Sequence, residues 1–210
     1  MARLLTIVGF AVGLFALLLQ LWLTIPARMA AGHGLFEAII FYFSFFTILS
    51  NIAAVGVYAA ALFPATAKYL GWLNNAIPRA TVAVCITIVG LVYLTVLAKI
   101  WAPEGLFWLC NVLLHYATPV IFVVWWLTTG RSGTLRFPDA IKFLPAPIFY
   151  LIYALVRGAL TGSYPYPFLD VTTLGSASVA VNCLGVATLF FAFSLLAVLL
   201  DRNLPAPKTI

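Results

Sequence analysis

Long apolar runs separated by short polar segments organise this chain. Six stand out, at residues 4–25, 36–63, 80–101, 106–128, 145–160 and 176–200. A membrane-crossing helix takes about 20 predominantly apolar residues, whereas a transmembrane strand shows roughly ten-residue alternation, which is not visible here. The pattern predicts an all-α polytopic membrane protein, one domain over residues 1–210 built as a bundle of six transmembrane helices. The fifth run is short and preceded by Pro145 and Pro147, so it either extends upstream into Lys142-Phe143-Leu144 or stands tilted. The first run has the basic start of a secretory signal peptide, but its apolar stretch exceeds the roughly 7–15 residues of a signal core, and it reads as a helix.

Composition supports this reading. Hydrophobic residues make up 65% of the chain, charged residues 8%, and the mean hydropathy is +1.14. Ordinary globular domains carry about 25% charged residues, so a water-exposed surface is not available to a fold of this composition. The three cysteines, Cys85, Cys110 and Cys183, all fall inside predicted spans. They show neither metal-ligand spacing nor a disulfide framework, and read as small packing residues.

Charge sets an orientation. Alternating the loops between two sides puts Arg3, Lys68, Arg79, Arg131, Arg136, Lys142, Arg202 and Lys208 on one side, and Arg28, Lys99 and Arg157 on the other. Cytoplasmic loops are enriched in Lys and Arg, so both termini are expected in the cytoplasm. The net charge of +6 then reflects topology and anionic lipid, with no nucleic acid implied. The segment 68–79 reads either as an interfacial stretch with Trp72 and Leu73 dipping into lipid or as a polar turn. Two opposite-side loops are distinctive, PARMAAGHG (26–34) and TGSYPYPFLDV (161–171). In the second, two Tyr-Pro pairs fix φ at the prolines and push the tyrosines toward extended geometry, as suits a rigid aromatic cap folded over the bundle.

Polar residues inside the runs carry the candidate chemistry. Ser44, Thr47 and Asn51 occupy offsets of 3 and 4 in the second run; Asn111, His115 and Thr118 repeat them in reverse order in the fourth. Such residues share a helix face. At about 1.5 Å per residue, Thr47 lies roughly 18 Å and His115 roughly 14 Å into a core of about 30 Å, so the stripes meet if the helices are neighbours. Thr and Asn often serve only as interhelical hydrogen bonders, but an intramembrane ionisable residue is a functional hypothesis by default. A neutral imidazole beside a hydroxyl can accept its proton during nucleophilic attack and return it to a leaving group. Asn51 or Asn111 could fix the ring tautomer or donate to an oxyanion. No acidic third member is evident, and no metal or organic cofactor is implied.

Other polar positions read less sharply. Arg157 shares a face with Tyr150 and Tyr153 near the end of the fifth run, where it either holds a lipid carboxylate, snorkels to the interface, or pairs with Asp170 or Glu37. Asp170 pairs with Arg157 or caps the following helix. Asn182 makes a packing hydrogen bond or lines a cavity, and His33 is expected to be solvated beside its glycines.

FFTILSN (45–51), NVLLHYATPVIF (111–122) and YPFLD (166–170) resemble blocks of the androgen-induced membrane protein family, and LIYALVRG (151–158) is typical of its bacterial six-span branch. The spacing and order of the blocks are similar from the second run to the sixth. Animal members are threonine hydrolases that cleave fatty acid esters of hydroxy fatty acids within the membrane. The resemblance implies Thr47 as nucleophile and His115, four residues before Pro119, as the histidine partner. By position, Tyr150, Tyr153, Arg157, Tyr166 and Asp170 are substrate-binding candidates and Ser44, Asn51, Asn111 and Asn182 supporting polar groups; the resemblance adds a lipid or fatty acyl ester as substrate. A multi-pass location in the bacterial inner membrane is implied likewise. Two rivals remain open at this level, a small-solute or lipid transporter or channel and a non-catalytic lipid-binding membrane protein.

Overall fold

The computed structural model describes residues 2–205; Lys208, counted above with the C-terminal charges, lies outside them. The described chain is helical, with no strand. We label seven helices: α1 (Ala2–Ala30), α2 (Leu35–Phe43), α3 (Phe46–Leu62), α4 (Ala76–Thr95), α5 (Gly105–Gly130), α6 (Pro145–Thr161) and α7 (Val171–Asn203). Five of the passes are long and apolar enough to cross a membrane, and α2 with α3 makes a sixth if that bent pair counts as one span. The fifth run does extend upstream, through a 3₁₀ segment at Phe137–Phe143.

α3 packs between α1 and α4, α4 also contacts α5 and α7, and α1 closes against α5. Beside an apolar core, several polar side chains are buried and many large apolar ones are exposed. Thr6, Ser44, Thr47, Ser50, Asn51, Asn111, Thr118 and Ser194 are buried, while Phe36, Phe149, Leu160 and Val181 are at least 70% exposed. So much exposed apolar surface fits a lipid-facing exterior. Helix pairs are tied by single hydrogen bonds, from Trp125 Nε1 to Thr6 Oγ1 at 2.9 Å and from the Tyr42 hydroxyl to the Leu17 carbonyl at 2.8 Å. In the connection 64–75, Leu73 is core and Trp72 is 60% exposed, so only the tryptophan of that pair is free to meet lipid.

The second span is not one straight helix. α2 and α3 meet at 73° across Ser44 and Phe45, where the Phe45 backbone is extended (φ −94°, ψ 130°). The stripe Ser44–Thr47–Asn51 therefore does not lie on one continuous face, and the depth counted from Leu35 does not hold. Two groups stabilise the break. Ser44 Oγ donates to the Ile40 carbonyl at 2.6 Å, an alternative to helical continuation, and the Tyr150 hydroxyl donates to the Ser44 carbonyl at 2.9 Å. In a water-poor bundle every exposed main-chain group needs such a partner. Tyr153 completes the clamp at 3.0 Å from Ser44 Oγ, whose own proton points to Ile40, so Tyr153 is the donor.

Candidate functional site

The break positions Thr47 in the first turn of α3, where amide N–H groups have no intrahelical acceptor and the helix dipole favours negative charge. The Thr47 N–H donates to the Tyr166 hydroxyl at 3.3 Å, and the same hydroxyl lies 3.4 Å from Thr47 Oγ1. Asn51, one turn on, donates from Nδ2 to the carbonyls of Thr47 (2.8 Å) and Leu114 (3.3 Å), and its Oδ1 accepts from Thr118 Oγ1. Asn51 thus fastens α3 to α5, and the two spans that carry the polar stripes are neighbours.

On α5 the helix widens into a π turn over Leu113–Ala117, with Thr118 N–H bonding to the Leu113 carbonyl five residues back. Such single π turns recur at functional sites. Here it holds His115 with Nδ1 3.2 Å from the Asn111 carbonyl and Nε2 3.3 Å from Thr47 Oγ1. A carbonyl can only accept, so Nδ1 carries the proton and Nε2 presents its lone pair to the threonine hydroxyl. The arrangement is a nucleophile, a base and an orienting group in series, the third role filled by a main-chain carbonyl instead of a carboxylate. Tyr93 stacks on the imidazole at 4.2 Å between centroids, and Asn111 Nδ2 donates to the Tyr93 hydroxyl. α4 comes this close because Gly90 has no Cβ; one built there would sit 3.3 Å from the His115 carbonyl and 3.4 Å from Pro119 Cβ.

The structure brings Thr47, His115, Asn51, Asn111 and Tyr166 together, with Tyr150 beside Tyr166, and gives the other candidates different partners. The Asn51 and Asn111 side chains bond elsewhere and not to the imidazole; the tautomer is set by the Asn111 main chain. Ser44 and Tyr153 belong to the helix break, while Tyr150 both closes the break and lines an apolar cleft. Asn182 donates to the Phe168 carbonyl at 2.9 Å, holding the aromatic loop against α7. Arg157 bonds within its own loop, and its Nε is buried without a partner among the described residues. Its guanidinium donates to the Ser163 carbonyl at 2.6 Å, lines neither cavity beside Thr47, and pairs with neither Asp170 nor Glu37. Asp170 caps α7, accepting from the hydroxyls and main-chain N–H groups of Thr172 and Thr173, and these bonds, that of the Thr172 hydroxyl foremost, hold its carboxyl below the usual value. His33, expected in solvent, lies 2.6 Å from Glu37 Oε1.

Two cavities meet at Thr47 and Tyr166. One of about 510 Å³ contains His115 and reaches Arg28 at the end of α1; the other, about 140 Å³, lies among α3, α4, α6 and α7. Sequence reasoning missed Tyr93 and Arg28. Tyr93 is one tyrosine among nine, and nothing in its neighbours in sequence points to His115. Arg28 sits in a loop-like stretch that is helical in fact, at the end of a 29-residue α1. Among the described residues no group of His, Cys, Asp and Glu is arranged to hold a metal ion. Compared with protein-family models, with curated proteins and with solved structures, the chain matches none of them.

Proposed function

We propose that the protein is an intramembrane hydrolase of lipid esters, with Thr47 as nucleophile and His115 as general base and then general acid. The observation that carries this reading is the Thr47 Oγ1–His115 Nε2 contact of 3.3 Å, with the tautomer set by the Asn111 carbonyl. The resemblance to androgen-induced membrane proteins adds a substrate class, fatty acid esters of hydroxy fatty acids, and a place in a bacterial inner membrane; the Lys and Arg distribution supports cytoplasmic termini.

The chemistry runs as follows. Nε2 takes the Thr47 hydroxyl proton as Oγ1 attacks the ester carbonyl carbon. The positive end of the α3 dipole and the Tyr166 hydroxyl, 3.4 Å from Thr47 Oγ1, favour negative charge developing there. The imidazolium returns its proton to the alcohol oxygen as the C–O bond breaks, leaving an acyl group on Thr47. Water then attacks with His115 again as base, and the carboxylic acid leaves as the threonine is regenerated.

The test is hydrolysis of a long-chain ester by the purified protein, with covalent labelling by a fluorophosphonate probe. Thr47→Ala and His115→Ala each lower turnover by at least about 10³-fold, in the range of losses seen when a nucleophile or its base is removed, and Thr47→Ala abolishes labelling. Undiminished turnover in either variant discards the mechanism. Wild-type protein that binds the ester without turnover or labelling favours a lipid-binding role.

A further inference from the structure

Thr47 and Tyr166 line both cavities, and the two cavities differ in character. The smaller is walled by apolar side chains such as Phe46, Ile88, Ala187 and Phe190, and Ile148 at its rim is half exposed. The larger leads from His115 to Gln20, Thr24 and Arg28. An ester held with its carbonyl at Thr47 must send its two arms in different directions; both cavities are largely apolar, and the larger one differs in ending at a charged side chain.

Arg28 is the permanently charged side chain of the larger cavity, and its guanidinium is undersaturated. Among the described residues its one charged contact, to Glu37 Oε1, is 3.5 Å long, whereas charge-assisted N–H···O bonds are usually about 2.7–2.9 Å. Glu37 is held more closely by His33, at 2.6 Å. The guanidinium stacks 4.4 Å above the Phe41 ring, which fixes its plane, and its Nε is buried without a partner. A planar fork of donors oriented by an aromatic face and only loosely paired is suited to bidentate capture of a carboxylate or phosphate.

Resting on the ester-hydrolase reading, we propose that Arg28 is the head-group selector of this site. It takes an anionic head, carboxylate or phosphate, carried on one arm of the ester, while the other, purely apolar arm lies in the cleft among α3, α4, α6 and α7. Cys183 lines that cleft and is only partly buried, so it reports occupancy independently of turnover.

The experiment compares three esters on the full-length protein in detergent: a long-chain ester ending in a free carboxylate, its methyl ester, and lysophosphatidic acid. Wild type is expected to favour an anionic ester over the methyl ester by about ten-fold or more in kcat/KM, the effect of one charge-assisted contact. Arg28→Gln erases that preference through KM, Arg28→Lys keeps part of it, and the carboxylate and phosphate arms show which head is taken. The same comparison is run on Thr47→Ala as protection of Cys183 from a methanethiosulfonate reagent. There the anionic ester protects at lower concentration than the methyl ester, and Arg28→Gln equalises the two. No preference in wild type, or a preference that survives in Arg28→Gln, overturns the assignment. The protection arm works without hydrolysis, so it separates failure of this proposal from failure of the hydrolase reading.

Discussion

The Tyr166 hydroxyl accepts the Thr47 N–H at 3.3 Å, joining the aromatic loop that follows α6 to the first turn of α3 across 119 positions of sequence. The loop therefore serves as a wall of the site. Tyr166 is 9% exposed and stacks on Phe168 at 5.3 Å, so its hydroxyl is delivered by a rigid support.

Tyr166→Phe removes that acceptor while keeping the ring. A buried N–H left unpaired costs about 1–3 kcal/mol, and the hydroxyl beside the reacting centre is lost as well. We expect kcat for ester hydrolysis to fall by about 10–100-fold, with KM little changed, as a donor acting mainly in the transition state requires. A change confined to KM would mean that Tyr166 only binds substrate.

Asn51 bridges α3 and α5 through the Leu114 carbonyl and Thr118. Asn51→Leu keeps the branched outline of the side chain and removes both bonds. Interhelical hydrogen bonds in membrane proteins average about 0.6 kcal/mol and reach about 1.7, so thermal unfolding in detergent should show a loss of about 1–2 kcal/mol. Turnover should fall more than stability does, because Asn51 sets the register that puts Thr47 Oγ1 3.3 Å from His115 Nε2.

Gly158 sits under the Tyr164 ring, and a Cβ there would lie 2.1 Å from ring carbons. Gly158→Ala must displace the ring and with it the loop bearing Tyr166. We expect hydrolysis to drop at least ten-fold, on the scale of a misplaced catalytic group, with helix content by circular dichroism unchanged. Gly158→Ala combined with Tyr164→Ala should recover part of the loss, since the ring that clashes is gone.

Asp170 caps α7 from outside the membrane span, and its carboxyl is held below its usual value by the Thr172 and Thr173 bonds. A group whose folded value is lowered contributes stability above the unfolded value, about 3.9 for Asp, and loses it as pH falls through the folded value. Wild-type thermal stability should accordingly fall below about pH 4, and Asp170→Ala should flatten that acid limb. An identical limb in both proteins would assign it to other carboxylates.

Much of the architecture was legible from the apolar runs, because a bilayer-crossing helix needs length and low polarity and both are local properties of sequence. The 3.6-residue period also picked out Thr47, Asn51, Asn111 and His115, since polar groups among apolar ones announce an inward face. The break at Ser44-Phe45 was not legible. FYFSFFT carries neither glycine nor proline, and the bend is held by Tyr150 and Tyr153 from a helix about a hundred residues later.

The same division holds at the site. Sequence by itself determined which residues are costly to bury and therefore worth explaining, and that the chain has helices enough for a polytopic membrane protein. It left Arg157 open as an anion binder, an interface residue or an ion-pair partner, because residue type and distance along the helix were its only guides. Tertiary structure decided that Thr47 and His115 face each other, that a main-chain carbonyl orients the imidazole, and that Arg28 rather than Arg157 lines the cavity beside them. The physical reason is that these relations depend on a bend, a π turn and a folded-back loop, each stabilised by hydrogen bonds between segments distant in sequence.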